Sequence, residues 1–232
     1  MRSQVFDQFE LIRIINLPAR ADRRREMEAQ LSRVELSADA DGRLAFFPAI
    51  SVDSPGPFMN NGTHGCFMSH QAVIEQAALQ GKSLLIIEDD CDFLDSIADY
   101  NLPPDVDVFY GGYSASDPSD LEGSDIIGAH FMGFSSRAVQ LLADYLKCMF
   151  TPDFAPDAQA AAQPDYNPAI KPPVDGAYVW FRRAHPELKT VFAMLTKQRS
   201  SRTDIGDKRL FDRVPIIREL AEAARRWKRR RK

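Results

Sequence analysis

The segment SLLII at residues 83–87 constrains the fold of this chain more than any other. It is apolar without alternation, which is typical of a strand whose two faces are both covered by helices in a parallel sheet. Three acidic residues, Glu88, Asp89 and Asp90, follow it directly. Because ligands of open α/β sheets bind outside the carboxyl ends of the strands, we expect these acids to lie at a ligand site.

Strands alternate with helices along the rest of the chain, and this order predicts an α/β fold with a mostly parallel central sheet flanked by helices. Gly81 is a plausible helix stop, and Ser135 or Ser136 a plausible helix cap. Residues 53–65 and 151–173 are rich in turn-forming residues and predict loops, the second flexible or functional. We predict further strands at residues 11–17, 44–52, 106–110 and 126–134, and helices at residues 21–33, 69–80 and 136–149.

Length and composition favour one domain with a continuous core, since 44% of the 232 residues are hydrophobic and 27% are charged. We place this domain at residues 1–210 and an amphipathic, basic helical tail at residues 211–232. Seven Lys or Arg residues between Arg225 and Lys232 leave a net charge of −11 on the remainder of a chain whose total is −4. Such a tail predicts contact with an anionic membrane surface. A solvated, frayed C-terminus fits equally well, and nucleic-acid binding is disfavoured by the acidic body.

The three cysteines, Cys66, Cys91 and Cys148, form no CxxC pair and are odd in number. Their spacing predicts neither a disulfide framework nor a structural zinc site, and it favours a reducing compartment. The first residues lack the apolar run of a signal peptide, and no uncharged apolar segment has membrane-spanning length. We therefore expect a cytoplasmic protein, with any membrane contact at the inner face.

Acids as close as Glu88, Asp89 and Asp90 repel one another unless a proton or cation neutralises them. Clusters of oxygen ligands suit hard divalent ions, so we expect Mn²⁺ or Mg²⁺ here. A metal at this place would stabilise the charge that develops on a leaving phosphate. A solvated acidic loop or helix N-terminus is the alternative interpretation.

Four arginines, at positions 20, 23, 24 and 25, gather where the first predicted strand leads into a helix. Cations at a helix N-terminus oppose the helix dipole, and a bound diphosphate would explain their presence. A histidine pair, His64 and His70, is expected at the junction between a loop and the following helix, where Thr63 or Ser69 could cap. We expect His70 to contact a ligand, and His64 and His130 to be hydrogen-bonded structural residues.

Six segments follow one another along the chain: IINLPARADRRREM at 14–27, GTHGCFMSHQAV at 62–73, LLIIEDDCDF at 84–93, GAHFMGFSSRAVQLL at 128–142, PVDGAYV at 173–179 and QRSSRTDI at 198–205. In this order they resemble family 25 of the glycosyltransferases, the lipopolysaccharide-biosynthesis and collagen-galactosyltransferase group. The resemblance implies a single GT-A-like, Rossmann-related domain, a divalent metal, and inverting transfer of a sugar, commonly galactose from UDP-galactose. The acceptor would be a glycan or glycolipid such as a lipooligosaccharide core.

The resemblance also implies roles for single residues. Asp175 would be the base that takes the acceptor proton, with Asp89 or an acid of the 151–173 loop as the alternatives. Metal ligands would be Asp90, Glu88 and Asp204, and the donor contacts would be Asn16, Leu17, Arg20, Arg23, Ser69, His70, Glu88 and Gln198. The chain departs from the family pattern at His130 and Phe131, where a tyrosine is usual, so the resemblance leaves the sugar and acceptor open.

Two further functions compete with an active transferase. A catalytically silent relative could bind a nucleotide or glycan as an interaction module, although three mutually repelling acids favour an enzyme. A metal-dependent phosphohydrolase is less favoured, because neither a second metal-ligand cluster nor a P-loop pattern is present.

Overall fold

The computed structural model describes residues 4–38 and 42–199. Helices and strands alternate as far as residue 88. Only strands and a 3-10 turn at Asp95–Ile97 follow up to residue 134, and three helices and two strands complete the described chain. In chain order the elements are α1 Gln4–Asp7, β1 Leu11–Asn16, α2 Ala21–Arg33, β2 Leu44–Pro48, α3 Asn61–Gln80, β3 Leu84–Glu88, β4 Cys91–Phe93, β5 Val108–Tyr110, β6 Ser114–Ala115, β7 Ile126–Ile127, β8 Phe131–Phe134, α4 Ser136–Cys148, α5 Ala158–Ala161, α6 Val174–Ala184, β9 Thr190–Phe192 and β10 Thr196–Gln198.

Six of the strands form one central sheet in the order β2-β1-β3-β8-β5-β9. Every neighbouring pair is parallel except the two that involve β8, which runs antiparallel to both β3 and β5. The predicted α/β class with a mostly parallel sheet is therefore confirmed. Two small antiparallel pairs, β10 with β4 and β6 with β7, lie outside this sheet.

Hydrophobic layers cover both faces of the sheet, as the SLLII pattern predicts. Leu84 and Ile86 pack in one layer with α3, α4 and α6. Leu85 and Ile87 point the other way and pack with α1 and α2. Each of these four side chains has no exposed surface, because successive strand residues alternate between two faces that are both covered.

Helix α2 has the predicted bounds, and its core-facing residues Met27 and Leu31 lie one turn apart. Helix α3 begins eight residues before the predicted start, because Asn60 caps it by accepting a hydrogen bond of 2.8 Å from the Thr63 amide. The predicted loop at residues 53–65 therefore extends too far, because residues 61–65 belong to α3. Helix α3 stops at Gly81 as predicted, with the left-handed φ of 64° that favours glycine.

Several other predicted bounds differ from the structure. The predicted strand at 126–134 is two strands, separated at Gly128, whose φ of 132° breaks the extended backbone. Strand β2 ends at Pro48 instead of residue 52. The Ser135 side chain caps α4, one of the two predicted choices.

The loop at residues 151–173 is partly anchored rather than free along its length. It contains the short helix α5, whose cap Asp157 forms an ion pair with Arg183 at 3.2 Å. Phe154 also stacks on Trp180 with ring centroids 6.5 Å apart. These contacts hold part of the loop against α6.

Among the residues that the structure describes, no helix combines the length and apolar character needed to cross a membrane. The predicted basic tail at residues 211–232 lies outside the described residues, and so does Asp204.

Candidate active site

The site forms at the carboxyl ends of the neighbouring parallel strands β1 and β3. Ile15 pairs with Glu88 in the register of these strands, and the Asp89 amide donates a hydrogen bond of 3.1 Å to the Ile15 carbonyl. Asn16, the last residue of β1, therefore lies beside the acids that follow β3. This is the position that the sequence predicts for a ligand site in an open α/β sheet.

Glu88 lies at the centre of the cluster. One of its oxygens, Oε1, is 3.1 Å from the His70 Nε2 and 3.7 Å from the Cys66 sulfur. The other oxygen accepts a hydrogen bond of 3.3 Å from the Gln198 amide. Burial raises the pKa of Glu88, but the hydrogen bond and positive charge of His70 and the charge of His130 outweigh burial and lower that pKa overall.

Helices α3 and α6 together position His70. Its ring is fully buried, and its Nδ1 lies 2.8 Å from the Tyr178 hydroxyl. Cys66 precedes His70 by four residues, so both side chains project from the same face of α3 towards Glu88. The sequence predicts a ligand contact for His70, but it gives no sign of the roles of Cys66 and Tyr178, because these contacts arise only when α3, α6 and β3 pack together.

Asp90 is a buried carboxyl whose negative charge is only partly balanced by Arg23. Burial and the negative charge of Glu88 raise its pKa to about 7, although Arg23 opposes this shift. The guanidinium of Arg23 is 3.6 Å away. The antiparallel pairing of β10 with β4 brings in Gln198, whose amide nitrogen is 3.5 Å from Asp90 and also bonds Glu88.

Asp89 faces β1 and α2 instead. The Asn16 amide donates to it at 2.7 Å and Arg23 at 2.9 Å, and only 5% of the residue is exposed. Asn16 also donates a hydrogen bond of 3.2 Å to the Arg20 carbonyl. These contacts fix the turn between β1 and α2 to the end of β3, so Asp89 holds Arg23 and Asn16 in place beside Asp90.

The arginine cluster does not act as one group. Arg23 contacts the acids, whereas Arg20 forms an ion pair with Asp22 at 2.8 Å, and this hydrogen bonding holds the pKa of Asp22 well below its usual range. Arg24 pairs with Glu28 on the exposed face of α2. Leu17 is half-buried at the turn after β1. Of the four arginines, Arg23 is the one whose described contacts join the acidic cluster.

Asp175 lies in the first turn of α6, one turn before Tyr178. Burial raises the pKa of this carboxyl above its ordinary value, and the nearby charge of Glu88 adds to the rise, while the Gly176 amide, which donates at 2.9 Å, opposes it. Asp175 therefore belongs to the same electrostatic cluster as Glu88. A carboxyl with a raised pKa in such a position is a better proton acceptor than an ordinary exposed carboxylate.

His130 differs from its prediction as a hydrogen-bonded structural residue. Only 4% of it is exposed, and neither ring nitrogen has a hydrogen-bond partner within the described residues. Burial lowers its pKa and the charge of Glu88 opposes this shift. Because a side-chain carbon on Gly112 would come within 2.5 Å of the His130 Nε2, the glycine leaves room for this ring.

Ser69 is not positioned to contact a donor directly. It is fully buried, donates a hydrogen bond of 2.7 Å to the Gly65 carbonyl and accepts one of 2.8 Å from the Ile50 amide. Its hydroxyl is thus used in fixing the segment after β2 to α3. His64 lies with its Nδ1 2.8 Å from the Ser54 carbonyl and stacks on Phe58, in keeping with a structural residue.

No protein-family model and no curated protein sequence matches the chain. Among solved structures, the chain is similar to a glycosyltransferase involved in the glycosylation of the major capsid of PBCV-1. The two share 11% sequence identity and a TM-score of 0.44, over 79% of this chain and 82% of that one.

Proposed function

We propose that this protein is a metal-dependent glycosyltransferase of the GT-A type that uses a nucleotide sugar. The observation that carries the proposal is the pair Glu88 and Asp90 at the carboxyl end of β3, with the Gln198 amide within 3.3 and 3.5 Å of the two carboxylates. The donor proposed first is UDP-galactose, and the acceptor is a glycan or glycolipid such as a lipooligosaccharide core. The resemblance of six sequence segments to family 25 supports these finer assignments.

A divalent ion fits the chemistry of this pair. Asp90 carries a raised pKa because Glu88 and burial disfavour its charge, and Arg23 compensates only in part. Oxygen ligands that need a cation are those that Mn²⁺ or Mg²⁺ prefers. Glu88 and Asp90 would hold the ion, with Asp204 as a further predicted ligand. When bound, the ion would supply Lewis-acid stabilisation of the leaving diphosphate.

Residues of β1 and α2 would bind the rest of the donor. Arg23 lies at the start of α2, close enough to the acids to share a phosphate with a bound metal, and arginine forks bind phosphate oxygens well. Asn16, Leu17 and Arg20 line the adjoining turn. This arrangement favours a nucleotide diphosphate lying across the ends of β1 and β3.

Asp175 is the proposed base. An inverting transfer needs one group that takes the proton of the acceptor hydroxyl as it attacks the sugar carbon. Asp89 is a weaker choice, since Asn16 and Arg23 already occupy its two oxygens. Asp175 has a raised pKa, lies in the first turn of α6 and is close enough to Glu88 for that charge to contribute to the rise.

The test is donor binding and transfer by the full chain. We expect a UDP-sugar to raise the melting temperature only when Mn²⁺ is present. Transfer to a glycan acceptor should release UDP, whereas a phosphohydrolase acting on the same donor would release UMP. Asp90→Asn should abolish the metal-dependent shift. Asp95→Asn, whose side chain is 99% exposed, is the matched control and should keep it.

Three outcomes would count against the proposal. A lack of response to every nucleotide sugar would favour a silent relative that binds glycans. Metal-dependent UDP binding without transfer to any acceptor would favour a nucleotide-binding module. Unchanged metal-dependent UDP affinity in Asp90→Asn would place the metal elsewhere.

A further inference from the structure

Cys66, His70 and Glu88 bring three different metal-ligating side chains together. One ligand atom from each lies within 4.8 Å of the other two. Hard ions such as Mn²⁺ and Mg²⁺ use oxygen ligands, so a thiol and an imidazole beside a carboxylate do not fit the ion assigned to Glu88 and Asp90. This mixture of sulfur, nitrogen and oxygen is instead that of zinc sites.

Two of the three distances within the cluster are close to those of a tetrahedral ion. Ordinary zinc bonds to sulfur, nitrogen and oxygen imply separations of about 3.4 to 3.6 Å between neighbouring ligand atoms. The Glu88 Oε1 is 3.7 Å from the Cys66 sulfur and 3.1 Å from the His70 Nε2. These two separations lie close to the tetrahedral values, and the Cys66 sulfur lies within 4.8 Å of the His70 nitrogen, so closure around an ion needs a shift of at most about 1 Å between those two atoms.

The elements around the cluster already orient its ligands. Cys66 and His70 are four residues apart on α3, which puts both on one face of that helix. The Tyr178 hydroxyl, 2.8 Å from the His70 Nδ1, leaves Nε2 as the ring nitrogen that faces Glu88. Metal-bound histidines characteristically use their second nitrogen in such a hydrogen bond.

We propose that Cys66, His70 and Glu88 bind a zinc-class ion, with the Cys66 proton released on binding. Three protein ligands leave a fourth position, and Cys66 and Glu88 are each partly exposed, so this position opens towards the site. The ion uses Glu88 Oε1, whereas Oε2 remains beside Gln198. The proposal shares Glu88 with the proposed function but does not depend on it, because binding needs neither donor nor acceptor.

The alternative is a metal-free network in which His70 and the Cys66 thiol hydrogen-bond to Glu88. Co²⁺ distinguishes a metal site from this network. It substitutes for Zn²⁺ and gives a charge-transfer absorption band when a thiolate binds it. We would strip the full chain with a chelator, titrate it with Co²⁺ alone and then displace Co²⁺ with Zn²⁺. We expect one equivalent of Co²⁺ to give a thiolate charge-transfer band that one equivalent of Zn²⁺ removes.

Variants identify the ligands. Cys66→Ser should lose the charge-transfer band, whereas Cys148→Ser, at an exposed cysteine far from the cluster in sequence, should keep it. Tyr178→Phe should keep the band but weaken Zn²⁺ binding by about 10- to 100-fold, as expected for the loss of a hydrogen bond to a ligating histidine. Circular dichroism checks that each variant is folded.

The wild-type spectrum is decisive even if a variant fails to fold. A Co²⁺ complex without a thiolate band would overturn the proposal, as would a band that survives Cys66→Ser. Donor binding with Mn²⁺ and no zinc tests the proposed function separately. Zinc binding without donor binding would support this inference and count against the transferase, and the reverse result would do the opposite.

Discussion

The surroundings of Asp90 disfavour its charged form, so its ionisation lowers the stability of the folded protein. Its pKa in the folded protein is about 7, against about 3.9 in an unfolded chain. Above pH 7 the carboxylate is charged in both states, so the folded state bears the whole cost. As the pH falls from 7 to 4 the folded state takes up a proton first, and the cost shrinks until it disappears below pH 4.

We therefore expect Asp90→Asn to stabilise the metal-free protein, by about 2–4 kcal/mol at pH 8. At pH 5 the gain should be smaller by about 2 kcal/mol. Urea unfolding with a chelator at both pH values measures the difference. Asp95→Asn, at a carboxyl that is 99% exposed and forms only a surface ion pair with Arg33, should change the free energy of unfolding by less than about 0.5 kcal/mol at either pH. An equal effect of Asp90→Asn at both pH values would contradict the shift.

Asp175 gives a prediction for the rate rather than for stability. As the proposed base it must be deprotonated, so kcat of the wild type should fall as the pH drops through its raised pKa. Asp175→Asn should lower kcat by about 10²–10⁴-fold and leave Mn²⁺-dependent UDP affinity unchanged. Steady-state rates across pH together with calorimetry of UDP binding make the test. If Asp175→Asn kept the wild-type kcat and the same fall of kcat at low pH, Asp175 would not be the base.

Single residues of the site differ in how far sequence predicts them. Glu88 and Asp90 follow a recognisable buried strand, so their place at a sheet edge can be inferred from local pattern. Cys66, Tyr178 and His130 show no local pattern that points to a site. Cys66 and His130 come close to Glu88, and Tyr178 contacts His70, only through the packing of α3 and α6 and through the antiparallel β8, which single-sequence periodicity cannot specify.

Helix α3 owes its position to a close approach at Gly65. A side-chain carbon there would lie 2.5 Å from the Ile50 carbonyl oxygen, a backbone atom that cannot move alone. Replacing a helical glycine by alanine ordinarily gains about 1 kcal/mol, but forced repacking costs about 1–3 kcal/mol. We expect the repacking cost to exceed the gain in helix propensity, because the same turn also holds Ser69 against Ile50.

Gly65→Ala should thus lower the free energy of unfolding by about 1–2 kcal/mol, measured by urea denaturation. It should also weaken Co²⁺ binding, because Cys66 and His70 would move with the helix. Leu79→Ala, at a residue of α3 that is 90% exposed, is the control and should change stability by less than about 0.5 kcal/mol. A stabilised Gly65→Ala variant would show that helix α3 can move away from Ile50 at little cost.

Elements with a strong local pattern are also the ones whose bounds are predictable. Helix α2 has clear helical periodicity, strand β3 is a continuous apolar run, and Pro18 or Gly81 precedes each, so their predicted bounds agree with the structure to within a residue. Helix α3 begins in a stretch of Asn and Gly that looks like a loop, because its start depends on the Asn60 cap. The sequence predicts β7 and β8 as one strand at residues 126–134. It does not show the break at Gly128, because that break depends on backbone conformation and not on hydrophobicity.

At the scale of the whole molecule, the sheet order explains why one edge carries the chemistry. Parallel β1 and β3 end side by side, and α3, α6 and β10 each add residues from distant parts of the sequence to that edge. The α/β class follows from alternating strand and helix patterns. The order of the strands and the reversal of β8 do not, because they depend on long-range pairing.

Charge is divided unevenly along the whole chain, and this leads to the last prediction. The seven basic residues at 225–232 accompany a remainder of net charge −11. The remainder should be repelled by anionic lipid, while each basic residue near the surface contributes about 1 kcal/mol of attraction. We expect the full chain to bind vesicles of anionic lipid in a cosedimentation assay, and neutral vesicles much less.

Raising the salt concentration should reverse this binding, because charges at the surface are screened within about 8 Å at physiological ionic strength. A variant with Gln at all seven basic positions should stay in the supernatant while keeping its melting temperature and its UDP binding. Retention of that variant on the vesicles would move the contact to another surface. Failure of the wild type to bind would leave the tail as a solvated terminus, and an acceptor carried on lipid would then have to be recruited by the site itself.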